Sequence, residues 1–262
     1  MLTAEQVNYF ETFGFLVLRK LFSPAEVEMI CREADGAWKS ELGHPPTDTE
    51  AVSLDNFIEK RPPLTQVVVD DRIYVPIQQL LGKDFIWSGS EGNRGFHPGD
   101  NAHHWHADRP GRGELNYTRI KIMIYLDPMR KDEGAFRVIP GSHRLPLHED
   151  LEPFQLAHSE KQPKFFGLDG KDVPCYAAET DPGDVVFFTQ SLFHAVYGKQ
   201  GERRYIAMKF AARPRSKEHI ASLNKWSNYA FEPHETLCNS PNPRLSQMVA
   251  GLAELGAPTR ET

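Results

Sequence analysis

The sequence predicts a mainly β fold, a sandwich or barrel, with helices flanking it. Three observations carry this reading. From Phe85 onward, short β-rich runs ("FIWSGS", "YTRIKIMIYLD", "AFRVIPGSH", "GDVVFFTQ", "RRYIAMKFAAR") alternate with Gly and Pro turn signals, the grammar of a sandwich or barrel. Within "TRIKIMIYL", Ile120, Ile122, Ile124 and Leu126 share one face and Arg119, Lys121, Met123 and Tyr125 the other, which is the period of a sheet strand. Before Phe85 the signals are mostly helical.

Each element has a local cause. Thr3 is an N-cap for a first helix, with Glu5 and Gln6 in its first turn and Val7, Phe10 and Phe13 at roughly helical spacing. Gly14 stops it, and "FLVL" reads as a short buried strand. Ser23 caps a second helix with Pro24 at its first position and a stripe of Val27, Ile30 and Ala34. The stretch from Gly43 to Pro63, rich in Pro and polar residues, reads as a long loop or lid, and a helix resumes near "DDRIYVPIQQLLG". At the other end "NPRLSQMVAGLAELG" reads as one helix. There is no internal repeat and no low-complexity linker, so 1–262 is expected to be one domain: a helical part over about 1–84, a β core over about 85–215 and a C-terminal extension over about 216–262.

Composition narrows the function classes. The net charge is −6, which argues against a broad nucleic-acid-binding surface. No apolar run is long enough to span a membrane. The N-terminus lacks a basic region followed by an apolar core, so no secretory signal is expected. The three cysteines, Cys31, Cys175 and Cys238, are widely spaced and form no CxxC pair, so neither a disulfide framework nor a zinc ribbon is indicated, and a reducing cytoplasm is the expected compartment.

The segment "HHWHADRPG" concentrates chemistry. His106-x-Asp108 is a His-x-Asp pair beside two further histidines, and on an extended strand residues two apart point the same way. An imidazole and a carboxylate can then converge on one ion. "GDVVFFTQSLFHAVYG" supplies His194 directly after a hydrophobic strand. Two histidines and a carboxylate make the facial triad of non-haem Fe(II) oxygenases, with the opposite positions open for cosubstrate and dioxygen. Either fragment alone arises by chance; together with "ERRYIAMKF" they gain meaning. Arg203 or Arg204 offers a guanidinium fork to a carboxylate cosubstrate, and since adjacent strand residues face opposite ways, one of the two enters the site. His103 and His104 read as loop histidines facing solvent or substrate.

These residues resemble the phytanoyl-CoA dioxygenase (PhyH-like) family of Fe(II)/2-oxoglutarate oxygenases. "LTAEQVNYFETFGFLVLRKLFSPAEVEMI" looks like the family's opening; His106-Ala107-Asp108, "LDPMRKDEGAFRVIPGSH" and "PGDVVFFTQSLFHAVYGKQGERRYIAMKF" follow in the family's order. The resemblance implies a double-stranded β-helix, a jelly roll of the cupin-like kind. It carries Fe(II) ligation onto His106, Asp108 and His194. It carries 2-oxoglutarate binding onto Arg203, with Arg204 as the alternative, and onto the strand after the His-x-Asp loop, where Ile122 and Lys121 are candidates according to which face is inward. It implies use of O2, release of succinate and CO2, and hydroxylation of a small molecule. Relatives that halogenate replace the aspartate with a small residue, and Asp108 is intact. His143 of "PGSH" is read as structural.

For the substrate, His104, Trp105, Arg109 and Arg94 are expected contacts. The cluster of Arg94, His97, His103, His104, Arg109, Arg112, Arg119 and Lys121, interrupted by Asp100 and Glu114, would steer an anionic substrate unless it is a mixed surface loop. Trp87 and Trp105 are read as pocket wall or as core. Two rival readings remain: a cupin-like metalloenzyme that does not use 2-oxoglutarate, and a non-catalytic jelly roll that binds a small acid. Oligomeric state is not legible.

Overall fold

Local chemistry sets the order of elements. The structure is a computed structural model and describes residues 1–47, 50–95, 102–156, 164 and 167–256. Helix α1 spans Ala4–Phe13; Thr3 and Gln6 form a reciprocal capping box, and Gly14, at φ 82°, ends it in the left-handed conformation that glycine tolerates. Strand β1 is Phe15–Leu18 and helix α2 is Pro24–Leu42, capped by Ser23 and Glu26. Strand β2 (Val52–Asp55) and helices α3 (Pro62–Val69) and α4 (Asp71–Leu81) follow.

The strands then come in quick succession: β3 (Ile86–Arg94), β4 (Ala102–His106), β5 (Arg119–Tyr125) and β6 (Phe136–Val138). Two short helices, α5 (Leu147–Asp150) and α6 (Glu152–Leu156), precede β7 (Tyr176–Ala178), β8 (Val185–Thr189), β9 (His194–Tyr197) and β10 (Tyr205–Ala211). Helices α7 (Lys217–Ser227), α8 (Glu235–Cys238), α9 (Pro243–Val249) and α10 (Leu252–Gly256) close the described chain.

Two antiparallel sheets result. One is six-stranded in the order β1-β8-β5-β10-β3-β2; the other is four-stranded in the order β4-β9-β6-β7. The large sheet is buried on both faces. Ile120, Ile122 and Ile124 of β5, with Ile206, Met208 and Phe210 of β10, pack outward against Ile30, Trp38, Ile73 and Ile77 of the helices. Met123, Tyr125, Val186, Phe188 and Ala207 point inward and meet Phe136 and Val138 of the small sheet. The period-2 alternation of "TRIKIMIYL" thus separates a helix-facing side from an inter-sheet side.

Three expectations need correction. The chain is not mainly β: the described helices hold more residues than the strands, because both the N-terminal segment and the C-terminal extension fold as helices over the large sheet. The Gly43–Pro63 stretch is not one irregular loop. Residues 48–49 lie outside the described residues, but Val52–Asp55 pairs with β3 as an edge strand, and Phe57 and Ile58 are buried. The C-terminal "NPRLSQMVAGLAELG" is two helices, α9 and α10, parted at Ala250 and Gly251, where Gly251 has φ 71°. No described helix is long and apolar enough to cross a membrane, and the three cysteines are free.

Candidate metal centre and cosubstrate cavity

A cavity of about 460 Å³ opens between the sheets. Its lining includes Asp108, Lys121, Met123, His194, Arg203 and Tyr205, with Ala51, Val52 and Ser53 at the β2 edge. His106 ends β4 and His194 begins β9, and the two are register partners across those strands. Their rings lie 4.2 Å apart by centroid. Asp108 follows in the turn after β4. Donor atoms of His106, Asp108 and His194 all lie within 4.8 Å of one another. Asp108 Oδ1 is 3.7 Å from His106 Nε2 and 3.6 Å from His194 Nε2.

The outer contacts select one nitrogen of each ring. His106 Nδ1 donates to the carbonyl of His104 (2.7 Å), and His194 Nδ1 donates to that of Leu192 (2.9 Å). Both Nε2 atoms therefore turn toward Asp108, the arrangement that second contacts give to metal-binding imidazoles. Burial, and then the neighbouring His106, push His194 down to about 3, so it is neutral and able to ligate at neutral pH. Burial opposes ionisation of Asp108, yet the Lys121 ammonium and the two imidazoles outweigh it and hold the carboxyl well below its usual range. Two imidazoles and one carboxylate with converging atoms fit a divalent first-row metal.

The family can be read directly against this geometry. The profile of the phytanoyl-CoA dioxygenase (PhyH) family matches residues 10–204, from α1 to just short of β10. The chain belongs to the phytanoyl-CoA dioxygenase family. Among curated relatives, the dioxygenase cdmD of Talaromyces verruculosus is 28% identical over 182 residues, 66% of this chain and 52% of the relative. The ectoine dioxygenase of Bordetella bronchiseptica is 28% identical over 156 residues, 55% of this chain and 50% of the relative, so the chain spans about half the length of both. Among solved structures, HygX from Streptomyces hygroscopicus, with nickel and 2-oxoglutarate bound, superposes with a TM-score of 0.64 at 20% identity, over 81% of this chain and 88% of that one. This likeness shows a shared fold.

In this PhyH-family chain the two adjacent arginines part company. Arg203 is buried and lines the cavity. Its Nε donates to the carbonyl of Gly134 (3.2 Å) and its Nη2 to the Tyr125 hydroxyl (3.4 Å), and its guanidinium lies over the rings of Tyr125 and Tyr205. Gly134, in the "DEGAF" turn, makes room: a side chain there would meet Arg203 Nε at 3.1 Å. Arg203 sits at φ 44°, a left-handed turn that a non-glycine residue adopts at a cost of about 1 kcal/mol. Arg204 points away, into Asp127 (2.7 Å) and Asp35 (2.9 Å).

The other expected residues divide. Lys121 faces the cavity, 2.6 Å from Glu91 and 3.6 Å from Asp108. Ile122 does not; the β alternation turns it into the helix-packed core. Trp105 is buried among Leu151, Phe154 and Phe193, and its indole donates to the Gly170 carbonyl, so it is core and not pocket wall. Trp87 likewise donates to buried Glu59. Arg109 donates to the Trp226 carbonyl and Ser227 hydroxyl, both at 3.0 Å, which fastens α7 to the turn carrying Asp108. His104 packs edge-on to Tyr197 outside the cavity lining. Arg94 does line the cavity and pairs with Glu202 at 3.4 Å.

The basic cluster read as steering an anion is dispersed. Arg119 is buried beside Glu114, Arg112 pairs with Glu149, and His97 and Asp100 lie outside the described residues. His143 accepts its structural assignment: Nε2 donates to the Glu11 carbonyl, away from the triad. Sequence reasoning missed Glu91 and Lys209, whose side chains meet at 2.8 Å beside Lys121. For Lys209 the signal was a charged residue inside the otherwise apolar β10, since such groups are buried only when paired. His103, read as facing solvent or substrate, is exposed where it lines the cavity, and its ring lies 4.1 Å from that of His106 across a bulge in β4.

Proposed function

We propose that this chain is an Fe(II)- and 2-oxoglutarate-dependent dioxygenase that hydroxylates a small molecule. His106, Asp108 and His194 hold the iron, Arg203 takes the far carboxylate of 2-oxoglutarate, and the two sheets form a double-stranded β-helix around them. The observation that carries the reading is the convergence of three donors within 4.8 Å at one part of a cavity that Arg203 also lines.

Bound iron would supply the chemistry of oxidative decarboxylation by O2, giving succinate, CO2 and one oxygen atom for insertion into a substrate C–H bond. The chain's own work is positioning and exclusion of water. The Nδ1–carbonyl bonds keep each imidazole in the ligating tautomer. The Arg203 fork is held from behind by Gly134 and Tyr125, so it meets a planar carboxylate without reordering. Met123, Phe136 and Phe188 wall the centre with apolar surface. Asp108, kept as a carboxylate, favours hydroxylation over halogenation within such a site. The substrate enters along the β2 edge, where Ser53 and Asn93 line the cavity.

Anaerobic titration with Fe(II) and then 2-oxoglutarate, followed by visible absorption, tests the proposal. A weak metal-to-ligand charge-transfer band is expected, and Asp108→Ala should abolish metal binding while the fold survives. Bound iron with no band on adding 2-oxoglutarate would favour a metalloenzyme of another kind. No bound iron at all would favour a small-acid binder.

A further inference from the structure

We propose that Lys121, backed by Glu91 and Lys209, is a positioning residue for the metal-binding carboxylate: it holds Asp108 Oδ2 aside so that Oδ1 alone is presented to the ion. This rests on the reading that His106, Asp108 and His194 bind the metal.

The two oxygens of Asp108 face different partners. Oδ1 lies 3.7 and 3.6 Å from the two histidine Nε2 atoms, and Oδ2 lies 3.6 Å from Lys121 Nζ. Behind Lys121 stands an ion network that strand pairing alone would disfavour. Lys121 of β5 and Lys209 of β10 are direct register partners, and like charges opposite each other destabilise a sheet. Glu91 relieves this from one strand further on. It is the register partner of Ala207 on β10, which in turn faces Met123 on β5. The small Ala207 side chain lets the glutamate reach across β10. Glu91 Oε1 then meets Lys121 at 2.6 Å and Oε2 meets Lys209 at 2.8 Å.

Both glutamate oxygens are engaged, and the trio keeps one net positive charge. Asp108 is the anion it faces. Three largely buried charges are a costly way to fill a sheet, since apolar replacements of such pairs are often as stable or more so. Their placement makes sense if they act on the site. A carboxylate free to rotate could chelate with both oxygens and occupy a coordination position that the cosubstrate needs. Lys121 opposes that rotation, and Glu91 and Lys209 oppose any movement of Lys121.

The test compares Lys121→Met, Lys121→Arg, Lys209→Met and Asp108→Ala by anaerobic Co(II) titration, with thermal melting of the metal-free proteins and 2-oxoglutarate titration of the iron-loaded ones. Lys121→Met should weaken Co(II) binding by about 10- to 100-fold, the usual effect of losing a contact behind a ligand, and Lys121→Arg should recover most of it. Lys209→Met, which leaves Lys121 on both carboxylates, should show a smaller loss, and it is decisive if Lys121→Met does not fold. Wild-type Co(II) affinity in the folded lysine variants, with only a lowered melting temperature, would overturn the inference. So would intact metal affinity with a raised 2-oxoglutarate requirement, which would make Lys121 a cosubstrate ligand. Undiminished Co(II) binding by Asp108→Ala would instead overturn the ligand assignment itself.

Discussion

Replacing Arg203 and Arg204 in turn separates two neighbours that sequence cannot. Arg203 already gives Nε to Gly134 and Nη2 to Tyr125, and its guanidinium lies over the Tyr205 ring. Its buried fork can add two charge-assisted hydrogen bonds to a carboxylate. At about 1.5–3 kcal/mol each, the pair is worth roughly 3–6 kcal/mol. Arg203→Ala should therefore weaken 2-oxoglutarate binding on the order of 10²- to 10⁴-fold. Metal affinity should stay near wild type, since Arg203 contacts none of the three donors. Arg204→Ala should leave 2-oxoglutarate affinity unchanged. It removes ion pairs to Asp127 and Asp35 that are partly exposed, which should cost about 1–2 kcal/mol and a few degrees of melting temperature. The assay is the charge-transfer band of iron-loaded protein titrated anaerobically with 2-oxoglutarate. A normal titration for Arg203→Ala, with the defect in Arg204→Ala, would refute the reasoning.

Three further outcomes follow from the packing. Burial raises the Glu91 pKa, but Lys121 and Lys209 outweigh it and bring the group from 4.5 down to about 2. A carboxyl depressed on folding adds stability that is complete above pH 4.5 and is lost toward pH 2, here roughly 3 kcal/mol. Urea unfolding between pH 7 and pH 3 should show this loss in the wild type and a shallower dependence in Glu91→Gln; identical curves would remove Glu91 as a cause. Arg109→Ala frees α7 from the Asp108 turn and should cost about 2–3 kcal/mol in denaturation, with 2-oxoglutarate affinity unchanged. Gly92→Ala drives a methyl into the Phe57 ring and should destabilise by about 1–3 kcal/mol, so a neutral result in a thermal melt would mean that Phe57 yields freely.

Much was legible in the chain itself. Capping residues placed α1 and α2 because a helix end must find partners for its orphan amides nearby in sequence. Alternation split "TRIKIMIYL" into two faces because a strand's side chains alternate whatever surrounds it. The triad was readable because His106-x-Asp108 is local and His194 lies beside a strong strand signal. Which face of β5 was inward was not local: it depends on helices packing over Ile120, Ile122 and Ile124, and that turned Lys121 to the cavity and Ile122 away. The choice of Arg203 over Arg204 needed a left-handed turn at Arg203 and two aspartates, Asp35 and Asp127, far away in sequence. Arg109 and Trp105 looked like substrate contacts until distant segments, α7 and Gly170, claimed them. Glu91, Lys121 and Lys209 come from three strands separated in sequence, and only sheet order and register bring them together. Ligand types and element boundaries follow from short-range chemistry that the sequence carries, while the facing and pairing of side chains are decided by which strands become neighbours.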